Sequence, residues 1–398
     1  MPPGPFLLRR LLFPMLACLV TGSAVAQSSQ PYFPPSPMLE ARAWVLLDAG
    51  SGQVLAQQQA DSQQEPGALV RLMQAWVILN ALRDGRLQPE QRVRVSALAA
   101  QAAAPRMGLE EGTDATVAQL LDGLLTVSAN DAAVALGETL SGSRETFVEQ
   151  MNAEARRLGL EATSLRNLTG ESALGQRSSA ADLARLTARL QQAFPEESLR
   201  FRQRELNWRG TRQENPNRLL WLDPSIEGLF LSGAELRGAG FIGSAQRGTR
   251  RMVAVVLGAP NAVAAMREAL KLLNHGFQAF DGVRLYAPGE SVAQVPVTRG
   301  NRAQARLGFS QGLLLSLPVD FQGRLQPRLH TRQPLRAPLS AGDPAGSLSL
   351  TLDDQLLGEF PVQVLEDVPE AALPGRVWDD VTDWLKSGNR PPAREDAR

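Results

Sequence analysis

Leu120-Leu121-Asp122-Gly123-Leu124-Leu125-Thr126-Val127-Ser128-Ala129-Asn130-Asp131-Ala132-Ala133-Val134-Ala135-Leu136 is the stretch on which the reading of this chain turns. Apolar residues at three- and four-residue spacing on both sides predict two helices, over 116–125 and 131–140. Between them stands Ser128-Ala129-Asn130, two small polar side chains on alternate residues at a helix junction. Ser and Asn are good N-caps, so the simplest expectation is that they cap the helix starting at Asp131. The alternative is that they hold a peptide backbone in a cleft.

Working outward, the periodic run Leu69, Leu72, Met73, Trp76, Val77, Leu79 and Leu82 predicts a largely buried helix over 67–86. Further amphipathic helices are expected over 143–158, 180–192 and 262–274, the last capped by Asn261. Strand character brackets this helical block. Ala43-Trp44-Val45-Leu46-Leu47-Asp48, a turn at 49–52 and a return over 53–57 read as a β-hairpin. Three short strand candidates follow at 226–231, 240–244 and 252–258. Strands at both ends of a helical block predict one α+β domain over 41–281, with a mixed sheet pairing the early hairpin to the late strands and helices on its faces. From 282 to 370 short alternating runs at 292–297, 313–319, 347–352 and 360–365, separated by Gly and Pro, predict a small all-β domain.

The ends read differently. Arg9 and Arg10, an apolar run over 11–20 and Ala24-Val25-Ala26 form a signal peptide over 1–26. The apolar run is too short to span a bilayer. Cys18, the one cysteine in the sequence, lies inside it and forms only a poor lipoprotein site, so the mature chain has no thiol chemistry. Residues 27–40 hold four prolines and form a linker. Residues 371–398 read as an amphipathic helix, with Val377, Trp378, Val381, Trp384 and Leu385 on one face, and a disordered tail. The export signal predicts the periplasm. Asp379, Asp380 and Asp383 on the helix work against anionic lipid, so peripheral membrane contact there competes with docking on the protein itself. The charges balance at 41 basic against 41 acidic residues, which argues against nucleic acid as a partner.

The segment from Leu120 to Leu136 closely resembles the Ser-x-Asn region of the low-molecular-weight penicillin-binding proteins, the serine D-alanyl-D-alanine carboxypeptidases. Ala43 to Asp48, Asn217-Arg218-Leu219-Leu220-Trp221 and Val255-Val256-Leu257-Gly258-Ala259 agree in order. The resemblance covers nearly the whole mature chain. It implies a penicilloyl-serine-transferase (beta-lactamase-like) fold and, in active members, removal of the terminal D-Ala from peptidoglycan stem peptides. That chemistry uses three motifs around one cleft: Ser-x-x-Lys, Ser-x-Asn and Lys-Thr-Gly. Serine is a weak nucleophile that needs a base. A lysine one turn later reaches it, and desolvation beside a second cation lowers its pKa enough for the task.

Here the first motif falls on Ala68-Leu69-Val70-Arg71. Alanine offers no nucleophile, and arginine keeps its proton at any physiological pH. Loss of a nucleophile costs about a millionfold in a comparable hydrolase. The third motif falls within Leu229-Phe230-Leu231-Ser232-Gly233, where Phe230 or Leu231 replaces the lysine and is expected to fill the old cavity. Only Ser128 and Asn130 survive intact. Arg71 is expected as a surface or cleft-edge charge, or as a clamp for a peptide carboxylate. With Ser128, Asn130, Ser232 and Gly233 it makes up the candidate ligand site. His275 and His330 stand apart and read as structural, and no metal-ligand cluster or cofactor motif is present. The sequence therefore predicts a catalytically inactive homologue that binds stem peptides or a cell-wall protein. The alternatives are an active carboxypeptidase using an unrecognised base and a purely structural periplasmic scaffold.

Overall fold

A computed structural model describes residues 34–235 and 238–372. The signal-peptide reading and the C-terminal helix lie outside the described residues.

The first domain is a sheet between two helical layers. Its strands are β1 (Ala43–Asp48), β2 (Val54–Gln58), β3 (Ile226–Gly228), β4 (Leu231–Glu235), β5 (Gly238–Arg247) and β6 (Arg250–Ala259). The order is β2-β1-β6-β5-β3, with β4 following β3 along the same edge of β5. The early hairpin thus pairs with the late strands as the sequence predicts: Val45 sits opposite Val255. The sheet is antiparallel at every pairing rather than mixed. The reason is local: tight hairpins join β1 to β2 and β5 to β6, and a parallel pair would need a long crossover.

Six helices complete this domain's frame: α1 (Arg71–Arg83), α2 (Val117–Val127), α3 (Asn130–Ser141), α4 (Arg144–Arg157), α5 (Ala180–Ala193) and α6 (Ala262–Ala279). The first is buried from Arg71 to Ala81 and preceded by a 3-10 turn over Gly67–Val70. A helix buried on all sides reads as core rather than as a surface stripe. Thr116 closes α2 with a reciprocal capping box to Gln119, while Ser143, Ser179 and Asn261 cap α4, α5 and α6. One core lies between the sheet and α1–α5, and a second between the sheet and α6.

The second domain begins at Phe280, two residues before the 282 expected from the sequence. It consists of β7 (Phe280–Tyr286), β8 (Ser291–Thr298), β9 (Gln304–Gly308), β10 (Leu313–Pro318), β11 (Leu325–His330), β12 (Leu335–Arg336), β13 (Pro344–Leu352) and β14 (Gln355–Val364). A six-stranded sheet in the order β11-β13-β14-β9-β8-β12 packs with the β7–β10 pair around one apolar cluster. Polar contacts fix it to the first domain. The Asp48 carboxylate accepts from the Ser316 hydroxyl, and Gln53 Oε1 accepts from the Ser316 amide at 2.6 Å. Arg250 Nη1 donates to the Phe280 carbonyl at 2.5 Å.

His275 lies on α6 beside this junction, edge-on to Phe280 at 5.8 Å. Its buried Nε2 has no hydrogen-bond partner among the described residues, and desolvation pushes its pKa down. The unfolded chain therefore takes up the proton first as pH falls. This contribution to stability is full above the ordinary imidazole pKa of about 6.5 and is lost as pH falls through the folded value. His275→Leu should flatten the acid limb of a melting-temperature profile; an unchanged slope would contradict the assignment.

Candidate functional site

The site is built where the 3-10 turn meets α1, against the α2–α3 junction. Gly67 and Gly170 both have positive φ, 52° and 83°. A Cβ on Gly170 would stand 2.2 Å from the Gly67 carbonyl oxygen, so only glycine lets loop 167–171 lie on the turn that carries Ala68. Asn167 holds that loop by accepting from the Gly170 amide at 2.8 Å and donating to the Glu171 carbonyl at 2.8 Å.

Arg71 opens α1 one turn after Ala68. Its side chain is 0% exposed, so the expectation of a surface charge is corrected. The guanidinium lies in the wall of the site. Nη1 donates to the Ala68 carbonyl at 3.0 Å, and Nη2 donates to Asn130 Oδ1 and to the Thr169 carbonyl at 3.4 Å. It thereby ties α1, the α2–α3 junction and loop 167–171 together.

The capping expectation for Ser128 and Asn130 is also corrected. Ser128 closes α2 in the left-handed conformation at φ 56°, and α3 starts at Asn130 with Ala129 as its N-cap and no side-chain cap bond. Asn130 Nδ2 instead donates to the carbonyls of Ala103 and Ala104, at 2.9 and 3.2 Å. The Ser128 hydroxyl makes no hydrogen bond among the described residues and faces the cavity.

Ala68, Arg71, Ser128 and Asn130 line one cavity of 470 Å³, with Ala103 to Pro105, Thr169, Glu171, Gln213 and Glu214 around it. The cleft is open rather than plugged. On the strand side, Ser232 Oγ accepts from the Ala68 amide at 3.3 Å. Leu231 and Gly233 flank Ser232 in β4, which places Leu231 beside this contact. Phe230 turns instead into the main core, edge-on to Phe201 at 5.4 Å, so it packs the interior and not the cleft.

Sequence reasoning missed Asp131. Its buried carboxylate accepts from the amides of Met107, Gly108 and Leu109, each at 2.9 Å, and holds the chain below the Ala103–Pro105 wall. An acidic residue in the first turn of an apolar helix was the available signal. Glu171 and Glu214 carry no such signal, because a loop brings the first and a short strand, Thr211–Glu214, the second to the cavity from afar.

The Ala68 side chain is a methyl group, and the Arg71 guanidinium beside it acts as a donor in each of its hydrogen bonds.

The chain is similar to known proteins in both domains. Residues 27–261 match the D-alanyl-D-alanine carboxypeptidase family, and residues 280–370 match the penicillin-binding protein 5 C-terminal domain. The D-alanyl-D-alanine carboxypeptidase DacC of Escherichia coli is 32% identical over 354 residues, covering 87% of this chain and 88% of the relative. DacD of Salmonella typhimurium is 33% identical over 384 residues, covering 94% and 98%. The crystal structure of penicillin binding protein 5 from Haemophilus influenzae superposes with a TM-score of 0.81 at 29% identity, covering 84% of this chain and 99% of that one. With both domains matched in the same order, this chain belongs to the D-alanyl-D-alanine carboxypeptidase family.

Proposed function

We propose that this chain is a catalytically inactive member of its family that binds peptidoglycan stem peptides in the periplasm and leaves them uncut. A cell-wall protein presenting a similar peptide end is the other partner of this reading. The observation that carries it is the pair at the head of the open cleft. Ala68 and Arg71 stand where the chemistry needs a nucleophile and a neutral amine. A binding group persists beside them, the Ser128 hydroxyl, and the buried Arg71 guanidinium gives the cavity wall a positive charge. The periplasmic part rests on the reading of residues 1–26 as an export signal.

A second reading, an active carboxypeptidase in peptidoglycan remodelling, is favoured by the names of the relatives and by the intact Ser128 and Asn130. The two readings part on a covalent bond. Mature protein treated with fluorescent penicillin should carry no adduct, and a stoichiometric adduct would overturn the inactive reading. Titration with a D-Ala-D-Ala peptide should shift NMR resonances of Ala68, Arg71 and Ser128. Silence at all three at millimolar peptide would leave the chain as a structural scaffold.

A further inference from the structure

The cavity at Ala68 does not end at loop 167–171. Ala103, Thr169 and Glu171 line it and also line a second cavity of 510 Å³ on their other side. The two are adjacent lobes, and these three residues form the ridge they share. The second lobe has apolar lining from Leu98, Val134, Val148 and Leu168, and its charged groups are Arg144, Arg166, Glu145 and Glu171.

The state of those arginines sets this lobe apart. Both are exposed, and among the described residues neither side chain makes an ion pair or hydrogen bond. A third cavity, beside α1 and α4, also carries arginines, but they are engaged. There Arg157 holds Glu154 at 2.7 Å, and Arg83 and Arg86 hold Asp84 at 3.5 and 3.9 Å. Arg166 comes from the segment leading into loop 167–171, and Arg144 from the first residue of α4. Two guanidiniums from separate elements thus line one mixed polar and apolar lobe that adjoins the first cavity.

We propose that this lobe takes a free carboxylate on the body of the peptide whose D-Ala-D-Ala end lies in the first cavity. Arg144 and Arg166 are its recognition groups. The inference rests on the stem-peptide reading above. A guanidinium meets a carboxylate through two parallel N–H donors, a geometry that fits one planar anion. Glu145 and Glu171 cancel the formal charge of the two arginines, so the lobe does not attract a polyanion, and a phosphate ligand is disfavoured. Glu171 on the ridge repels an anion between the lobes and so favours its position beyond the ridge.

The test uses the full mature chain and two synthetic peptides. Both end in D-Ala-D-Ala; one has a free side-chain carboxylate three residues before the terminus, and in the other that group is amidated. Calorimetric titration at low salt should give affinity about fivefold higher for the acid. Arg144→Gln with Arg166→Gln should abolish the difference while leaving the binding of the amide unchanged. Equal affinity of the two peptides for the unmodified protein would overturn the second-lobe inference alone. A preference for the acid that survives the double substitution would overturn the assignment to these arginines. Failure of both peptides to bind would overturn the stem-peptide reading and this inference together. Both arginines are exposed, so a melting curve suffices to confirm that the variant folds.

Discussion

Ala68→Ser is expected to release no D-alanine from a D-Ala-D-Ala peptide and to take no label from penicillin. The substitution supplies an oxygen at a half-buried position lining the cleft, so space is not the obstacle. The obstacle is the proton. Arg71 already donates to the Ala68 carbonyl and to Asn130, and a guanidinium accepts nothing in return. On the inactive reading the second cation of the motif is also missing, since Phe230 or Leu231 stands where a lysine is needed. The Ala68 amide, a donor that an acyl-transfer oxyanion would require, is engaged with Ser232 Oγ at 3.3 Å. Residues of such a device act as a unit, and its loss is worth about a millionfold, or about 8 kcal/mol. One repaired member therefore recovers little. The double variant Ala68→Ser with Arg71→Lys restores a nucleophile and an amine but not the second cation, so it too is expected to take little penicillin label. Chromatographic detection of free D-alanine under single-turnover conditions is the measurement. Turnover in Ala68→Ser alone would show that a base exists which the present reading lacks.

How far the sequence carried this reading depends on distance along the chain. Helix α1 was legible because Leu72, Met73, Trp76 and Leu79 are near neighbours whose spacing alone states a helix. The two-domain division was legible for the same reason, as the period changes from helical to alternating near Asp281. Arg71 was not legible as a buried group. Its acceptors Asn130 and Thr169 lie 59 and 98 residues away, and a charge at the start of an apolar helix looks locally like an exposed end. Ser128 and Asn130 were found by their pattern and misread in their local role. The helix begins one residue sooner than its apolar run, so Ala129 takes the cap position, and the Asn130 side chain instead bonds Arg71 and the Ala103 and Ala104 carbonyls. Ser232 meets Ala68 across 164 residues, a contact that only the pairing of β4 with β5 creates.

Asp131→Ala should lower the unfolding free energy by about 4 kcal/mol and weaken peptide binding with it. The Asp131 side chain is fully buried, and its two oxygens accept from four amides: Met107, Gly108, Leu109 and its own helix neighbour Ala132. A hydrogen bond to a charged group contributes about 1.5–3 kcal/mol, and amides left buried without an acceptor cost about 1–3 kcal/mol each. The sum is not additive, because the freed loop relaxes toward water, which brings the expected loss to the lower part of the range. Asn130 pins the same segment from its other end, through the carbonyls of Ala103 and Ala104 and by its own amide to the Pro105 carbonyl at 2.7 Å. Ala103 also forms part of the ridge between the two lobes, so slack in this segment reaches both of them. Asp131→Asn separates charge from shape: its amide keeps one acceptor oxygen and turns a donor toward the other amides, so a loss of similar size is expected. Urea unfolding of the three proteins, followed by peptide titration below the transition, measures both effects. A loss under about 1 kcal/mol in Asp131→Ala would mean that water satisfies those amides. The wall of the cleft would then be held by Asn130 and by packing, not by the carboxylate.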